Sequence, residues 1–162
     1  MKQDERNKAG PAIAVRNLQR AVAANIPALQ EFAERALQLC RRRRSKQVTQ
    51  LQKLPSLHVL LISDRRMSAL HRRFLGQTGP TDVITFGHGE IFISVETARR
   101  HARRFGNSLQ RELQLYIVHG LLHLHGFNDE RTGEARRMAA AQEKIVKAAS
   151  AGKGSKARAR LV

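Results

Sequence analysis

The sequence is poor in the features that mark disulfide-bonded, secreted or membrane-spanning proteins. It has one cysteine, Cys40, among 162 residues, which excludes an internal disulfide and any zinc module built from several cysteines. No apolar run approaches the roughly 20 residues that a transmembrane helix needs. Residues 1–11 are polar and lack the hydrophobic stretch of a secretory signal. We therefore expect a cytoplasmic protein.

Acidic and aromatic residues are also scarce. Thirteen Asp and Glu residues stand against 30 Lys and Arg residues, so the formal net charge is +17. An excess of this size in a small protein indicates an acidic polymer as partner, most often nucleic acid, with an anionic membrane as the second candidate. Aromatic residues make up 4% of the chain and do not fall at the spacing of a base-stacking sheet. The expected partner is RNA or a ribonucleoprotein, bound through its phosphates.

The basic residues lie in clusters. Two clusters are predicted to bind RNA: Arg41, Arg42, Arg43, Arg44, Arg99, Arg100, Arg103 and Arg104. A solvated helix face is the alternative for the second cluster. The last residues are small and basic, and they are predicted to form a flexible arm that adds non-specific RNA affinity.

Apolar periodicity predicts a single α+β domain at residues 12–148, between a disordered lead at residues 1–11 and a basic flexible tail at residues 149–162. Strands are predicted at residues 12–18, 57–62, 82–86 and 90–95, and helices at residues 27–42, 64–75, 95–104, 109–125 and 132–148. Ser63 or Asp64, Ser94 and Ser108 are the predicted helix caps. The expected fold is a small mixed sheet of about four strands packed with about five helices.

The helix predicted at residues 109–125 is apolar on nearly every side, so it should be buried. It carries His119 and His123, whose spacing of four residues places both imidazoles on one face. Two histidines at this spacing are the usual way in which a helix offers two metal ligands. Gly126 then ends the helix, and the chain turns back.

Asn128 and Asp129 follow that turn. The spacing H-x3-H-x2-G-x2-D is that of metzincin-type zinc sites, in which the third ligand follows the glycine turn. Imidazole and carboxylate suit Zn²⁺, with Ni²⁺, Mn²⁺ and Fe²⁺ as alternatives. Three protein ligands leave a position for water, as catalytic zinc sites do. His125 is a competing ligand, but it lies about 200° round the helix from His123, so we expect it to face solvent or phosphate.

Three segments resemble the YbeY family of metal-dependent ribosomal RNA maturation endoribonucleases. They are HGLLHLHGFND at residues 119–129, PTDVITF at residues 80–86 and GEIFISVE at residues 89–96. The resemblance covers roughly residues 12–147. It implies an α+β domain with a metalloprotease-like zinc helix, one Zn²⁺ per chain, and single-strand-specific cleavage in the maturation of the 16S RNA 3′ end and in ribosome quality control. The implied partners are ribosomal RNA, the small ribosomal subunit and ribosomal proteins.

By resemblance, the metal ligands are His119, His123 and Asp129, although the family usually has His at the third position. Asn128 stands where the family usually has Asp. Leu75 stands where the family usually has an Arg expected to contact phosphate. Arg72 and Arg73 lie one helical turn earlier, in the helix predicted at residues 64–75, and they are the candidates to replace that contact. The catalytic residues are otherwise undefined by the sequence.

Two other functions remain open at this point. A non-catalytic ribosome-assembly factor would keep the metal as a structural element, and Leu75 motivates that reading. A peptidase would share the ligand spacing, but the position after the first histidine, which carries the general base in metalloproteases, is Gly120. Glu130 is the nearest carboxylate that could replace this base. Asp82 is expected to be a structural turn residue.

Overall fold

The computed structural model describes the backbone of residues 11–158 and the side chains of residues 11–151. Four strands form one mixed sheet: β1 (Ala12–Asn17), β2 (Ser56–Ile62), β3 (Val83–Thr85) and β4 (Glu90–Ser94). The order across the sheet is β1-β2-β4-β3. The first three strands in this order are parallel, and β3 pairs antiparallel with β4.

Six helices accompany the sheet in the described part of the chain: α1 (Ile26–Arg42), α2 (Gln50–Lys53), α3 (Asp64–Leu75), α4 (Val95–Phe105), α5 (Leu109–Leu124) and α6 (Thr132–Arg158). The predicted α+β domain with a four-stranded mixed sheet is therefore confirmed. The four-residue helix α2 was not predicted, because one turn carries no apolar periodicity.

Serine caps define where three of the helices begin. The side chains of Ser63, Ser94 and Ser108 each accept a hydrogen bond from the backbone N–H three residues ahead, in α3, α4 and α5. Each bond satisfies one of the free donors of a helix N-terminus. The predicted starts of these helices are therefore confirmed, with Ser63 rather than Asp64 as the cap of α3.

The sheet separates α3 from the helices of the main core. Ile91 and Ile93 of β4 face the main core, which contains the buried residues of α1, α5 and α6. Phe92, between them, faces the opposite side, where it packs with Met67 and Leu70 of α3. Alternation along a strand sends neighbouring side chains to opposite faces. Helix α3 therefore lies across the sheet from α5.

The last helix is longer than predicted. We expected it to end at residue 148, but α6 continues to Arg158. Ala149 is fully buried, and its carbonyl oxygen accepts a hydrogen bond of 2.6 Å from Nε of Arg35. Tertiary packing thus extends the helix into the predicted tail. Of the lead predicted at residues 1–11 and the tail predicted at residues 149–162, residues 1–10 and 159–162 lie outside the described residues. No helix in the described range is long and apolar enough to cross a membrane.

Candidate metal centre

Helix α5 and the loop after it bring three ligand atoms together. Nε2 of His119 lies 3.0 Å from Nε2 of His123. Oδ2 of Asp129 lies 3.6 Å from the first of these nitrogens and 3.7 Å from the second. A tetrahedral zinc ion with Zn–N and Zn–O bonds near 2.1 Å separates its donor atoms by about 3.4 Å. The three predicted ligands therefore form a triad with the dimensions of a zinc site.

The Nδ1 atom of each imidazole, which lies on the side away from the other ligands, forms a hydrogen bond with an acceptor. Nδ1 of His119 donates to Oε1 of Gln142 at 3.0 Å, from α6. Nδ1 of His123 donates to the carbonyl oxygen of Phe127 at 3.1 Å. Each of these oxygens only accepts, so the bonds require a proton on Nδ1 of each ring. In this tautomer Nε2 carries the lone pair that a metal ligand requires.

Two lone pairs that face each other at 3.0 Å repel unless a cation lies between them. The carboxylate of Asp129 adds a negative charge on the same side. The chemistry of the donor set therefore fits a divalent cation, and imidazole with carboxylate suits zinc. Each of the three side chains is partly exposed, Asp129 by 44%, so water or a substrate can reach the centre.

The turn after α5 directs Asp129 back towards the histidines. The N–H of Gly126 donates to the carbonyl of His123, and the N–H of Phe127 donates to the carbonyl of Leu122. These two bonds define a Schellman motif, which needs a left-handed residue. Gly126 supplies it with a φ of 93°. The same turn brings the Phe127 carbonyl to Nδ1 of His123.

Asn128 shapes the loop rather than the metal triad. Its Oδ1 accepts a hydrogen bond of 3.1 Å from the backbone N–H of Glu130. This bond closes a small side-chain turn around Asp129. An asparagine at this position, where the related family usually has Asp, therefore still serves a structural purpose.

Burial is the main influence on the pKa of His119. Burial, and then the neighbouring His123, hold the pKa of His119 below its ordinary value. The hydrogen bond that His119 donates to Gln142, and the charges of Asp129 and Asp82, act in the opposite direction with smaller effect. The lowered pKa favours the neutral imidazole of His119, which is the form that binds a metal.

Asp82 has a second role that the sequence did not reveal. As expected for a turn residue, its Oδ1 accepts hydrogen bonds from the N–H of Val83 and the hydroxyl of Thr81. Its charge also acts on His119 and on Tyr116, whose pKa is raised, mainly by burial. The pairing of β3 with β4 beside α5 creates this proximity, and a sequence pattern carries no signal for it. Gln142 was missed for the same reason.

Gly120 allows α5 to approach the sheet closely. A Cβ atom at this position would lie 2.8 Å from Cγ2 of Ile91 and 3.0 Å from Oγ1 of Thr85. Gly120 is buried and has no side chain. The position that carries the base in metalloproteases is therefore filled by the sheet, which gives the peptidase alternative no support.

His125 does not face solvent or phosphate, so this expectation was wrong. The side chain is 3% exposed. Its Nδ1 lies 3.0 Å from the hydroxyl of Thr49, and its Nε2 lies 2.8 Å from the carbonyl oxygen of Arg43. The segment between α1 and α2 folds over the end of α5 and encloses the ring. The expectation that His125 faces away from His123 was right. The segment that covers His125 on this side of α5 comes from a distant part of the sequence.

The two predicted RNA-binding clusters lie on different elements. Arg41 and Arg42 end α1, and Arg43 and Arg44 follow it. The guanidinium of Arg43 lies 5.8 Å from the ring centre of Phe127, in the loop of the metal triad. This end of α1 therefore adjoins the candidate centre.

The cluster on α4 has mixed surroundings. Arg100 forms an ion pair of 2.6 Å with Asp64 at the start of α3. Arg104 lies over the ring of Phe105, and Arg103 is exposed, whereas Arg99 is half-buried. Among the described side chains, none of these four arginines contacts the triad. RNA binding by this cluster remains a prediction.

Arg72 and Arg73 lie on α3, across the sheet from the helix that carries His119 and His123. They line a separate cleft of about 540 Å³ together with Arg65. Leu75 ends this helix with its side chain 55% exposed. The structure thus does not bring these two arginines to the triad, and their contact with phosphate remains a prediction.

Comparison with known proteins supports the same assignment of fold. A protein named Endoribonuclease YbeY from Anaeromyxobacter sp. (strain Fw109-5) is 38% identical over 102 residues, which are 57% of this chain and 53% of that protein. A relative of the same name from Gluconobacter oxydans (strain 621H) is 36% identical over 121 residues, which are 71% of this chain and 70% of its own. The chain thus spans about half the length of the first relative.

The solution structure of TM1509 from Thermotoga maritima matches with a TM-score of 0.62 at 24% identity. The match covers 89% of this chain and 93% of that one, and it establishes a shared fold. A family model described as Endoribonuclease YbeY matches residues 14–150. The match includes all three members of the triad, and this chain belongs to the YbeY family.

Proposed function

We propose that this protein is a zinc-dependent endoribonuclease that cleaves single-stranded ribosomal RNA in the cytoplasm during ribosome maturation. One observation carries the proposal: two unprotonated imidazole nitrogens and a carboxylate oxygen meet within 3.7 Å on a partly exposed surface. The net charge of +17 favours a polyanionic substrate. The relatives named Endoribonuclease YbeY support the same reaction.

His119, His123 and Asp129 would hold the zinc ion. When bound, zinc supplies Lewis acidity to a phosphate oxygen and lowers the pKa of a coordinated water. Gln142 and the Phe127 carbonyl keep the two imidazoles in the tautomer that leaves Nε2 free. Asp82 adds negative charge that stabilises a cation beside His119.

The substrate and its setting follow from the resemblance and the charge. Ribosomal RNA, in particular the 3′ end of 16S RNA, and the small ribosomal subunit are the proposed partners, with contacts to ribosomal proteins. The basic end of α1, from Arg41 to Arg44, adjoins the triad and would bind the phosphate backbone. Cations that contact the phosphates of the substrate would also offset the charge that develops on the phosphate during cleavage.

The test combines metal content with RNA cleavage. Three purified proteins are analysed by mass spectrometry for metal content and incubated with total ribosomal RNA. They are the wild type, the double variant His119→Ala/His123→Ala and the single variant His88→Ala. His88 is an exposed histidine whose ring contacts Glu90 and Phe86, so it serves as the control. We expect about one zinc ion per chain and cleavage in the wild type and the control, with both lost in the double variant.

Each other outcome contradicts part of the proposal. Cleavage that persists in metal-free double variant would show that the triad is not the reaction centre. Bound zinc without cleavage of any RNA would replace the nuclease with a metal-stabilised RNA-binding factor.

A further inference from the structure

A groove that reaches His123 of the metal triad runs over the segment between α1 and α2. Its first part has a volume of about 580 Å³ and is lined by His123, Lys46 and Gly126 among others. Its second part has a volume of about 460 Å³ and shares Ser45, Lys46 and Gly126 with the first. Because they share these lining residues, the two parts adjoin each other.

Positive charge dominates this groove. Arg44, Lys46 and Arg137 line it and are exposed, and Glu134 is the acidic residue among its lining side chains. Within residues 11–151, none of the three cations forms an ion pair with an acidic side chain. Cations that no carboxylate neutralises are available to an anionic ligand. An open groove with several such cations suits a chain of phosphates better than one small anion.

His125 holds the wall of the groove in place. The segment from Arg43 to Thr49 has no regular secondary structure up to α2. The buried ring of His125 joins both ends of it, through the Arg43 carbonyl at 2.8 Å and the Thr49 hydroxyl at 3.0 Å. His125 is also the residue that ends α5, two positions after the ligand His123. One imidazole therefore fixes the basic segment relative to the metal triad.

We propose that this groove binds the sugar-phosphate backbone of the RNA strand on the His123 side of the scissile bond. In this arrangement Arg44 and Lys46 contact phosphates, and His125 is a positioning residue that acts through them. The inference rests on the proposed ribonuclease function, because it takes RNA as the ligand. It assigns to His125, which does not point at the triad, a role that a purely structural histidine would not have.

The groove is tested by the salt dependence of RNA affinity. Three full-length proteins are titrated into a fluorescein-labelled single-stranded RNA oligonucleotide, with EDTA present to prevent cleavage. They are the wild type, the groove variant Arg44→Ala/Lys46→Ala and the control Arg16→Ala/Arg20→Ala. Arg16 and Arg20 are exposed and line neither part of the groove. The slope of log affinity against log salt should decrease by about 1.4 in the groove variant, because each phosphate contact with a single strand contributes about 0.7. The control should retain the wild-type slope.

His125 is tested by a double-mutant cycle. His125→Gln is combined with Arg44→Ala/Lys46→Ala, and the RNA affinity of each variant is measured. If His125 acts through the two cations, its substitution weakens RNA binding but adds nothing once they are absent. His125→Asn, whose shorter amide can replace the Nδ1 contact with Thr49, should recover part of the affinity. Trypsin should cut more rapidly after Arg44 or Lys46 in His125→Gln than in the wild type.

The outcomes separate this inference from the proposed function. If wild type and both double variants bind RNA with one slope and cleave it equally, the groove is excluded while the nuclease stands. If the effects of His125→Gln and the groove variant add, the positioning role is excluded. If the wild type contains zinc but binds no RNA, the proposed function fails and the inference fails with it. Should His125→Gln not fold, the groove variant and its control still decide the binding site.

Discussion

Gln142 of α6 and His119 of α5 are joined across the helix interface by a hydrogen bond of 3.0 Å. The bond fixes the ring that faces the metal and keeps its proton on Nδ1. Helix α6 is thus part of the candidate centre although it supplies no ligand. The carbonyl of Phe127 does the same for His123 from the opposite side.

Replacing this glutamine should weaken metal binding while sparing the fold. Partners of ligating histidines typically contribute 10–100-fold to metal affinity, so we expect a loss of that order for Gln142→Leu in a zinc competition titration. Gln114→Leu is the control, because this glutamine accepts a weak bond of 3.4 Å from Ser150 and lies outside the triad. Equal zinc affinity in the two variants would show that the Gln142 bond does not orient His119.

The close approach of α5 to the sheet gives a second prediction. Gly120→Ala would place a methyl group 2.8 Å from Cγ2 of Ile91, and such overpacking costs typically 1–3 kcal/mol. We expect a lower free energy of unfolding in urea and weaker zinc binding, because the displaced helix carries His119 and His123. Gly133→Ala in α6 is the matched control, since nothing lies within 4 Å of its added methyl. A Gly120→Ala variant as stable as this control would contradict the packing argument.

Local patterns predicted the elements that build the centre. The caps at Ser94 and Ser108 and the buried face of α5 each depend on a few neighbouring residues, so the sequence contains their full cause. The i,i+4 spacing likewise sufficed to place His119 and His123 together. The Gly126 turn explains why a ligand six residues after His123 can return to it.

Long-range packing explains what was missed. The contact between Arg43 and His125 joins residues 82 positions apart, and no periodicity records it. Ala149 lies in the core because α1 packs beside it, so the composition of the tail was a poor guide to the end of α6. The same packing places Arg72 and Arg73 on the other face of the sheet from the triad, because alternation along β4 sends α3 to that face, and their phosphate contact stays a prediction.

A surface cluster away from the metal predicts a pH effect. Burial raises the pKa of Asp64, but hydrogen bonds from Arg100, and then from two neighbouring hydroxyls, outweigh it and hold the pKa below its ordinary value. A carboxyl group with a depressed native pKa stabilises the fold above its unfolded pKa, near 3.9. This contribution is lost as the pH falls through the lower native value.

Asp64→Asn should therefore destabilise the protein at pH 7 and have less effect at pH 2. Because Arg100 is 54% exposed, we expect a loss of only about 1 kcal/mol in urea unfolding. Glu31→Gln, an exposed carboxylate on α1, is the control. A destabilisation of equal size at both pH values would point to lost packing rather than lost charge.

The carboxylate in the triad distinguishes this chain from the usual family pattern, and its charge should be visible in activity. With Asp129 as a ligand, a bound Zn²⁺ retains a net charge of +1 rather than the +2 expected with three neutral histidines. A less positive centre lowers the pKa of a coordinated water by a smaller amount. Asp129→His should therefore keep zinc and shift the lower limb of the pH–rate profile towards lower pH.

The comparison requires wild type and Asp129→His at equal zinc content, with RNA cleavage followed across a range of pH. Asp129→Asn is the control, because it removes the charge but also weakens the ligand, so zinc content should fall. Identical pH profiles for the wild type and Asp129→His, both with full zinc, would show that Asp129 does not coordinate the metal. In that case the triad distances of 3.6 and 3.7 Å reflect the loop alone, and the site would bind its metal through two histidines and solvent.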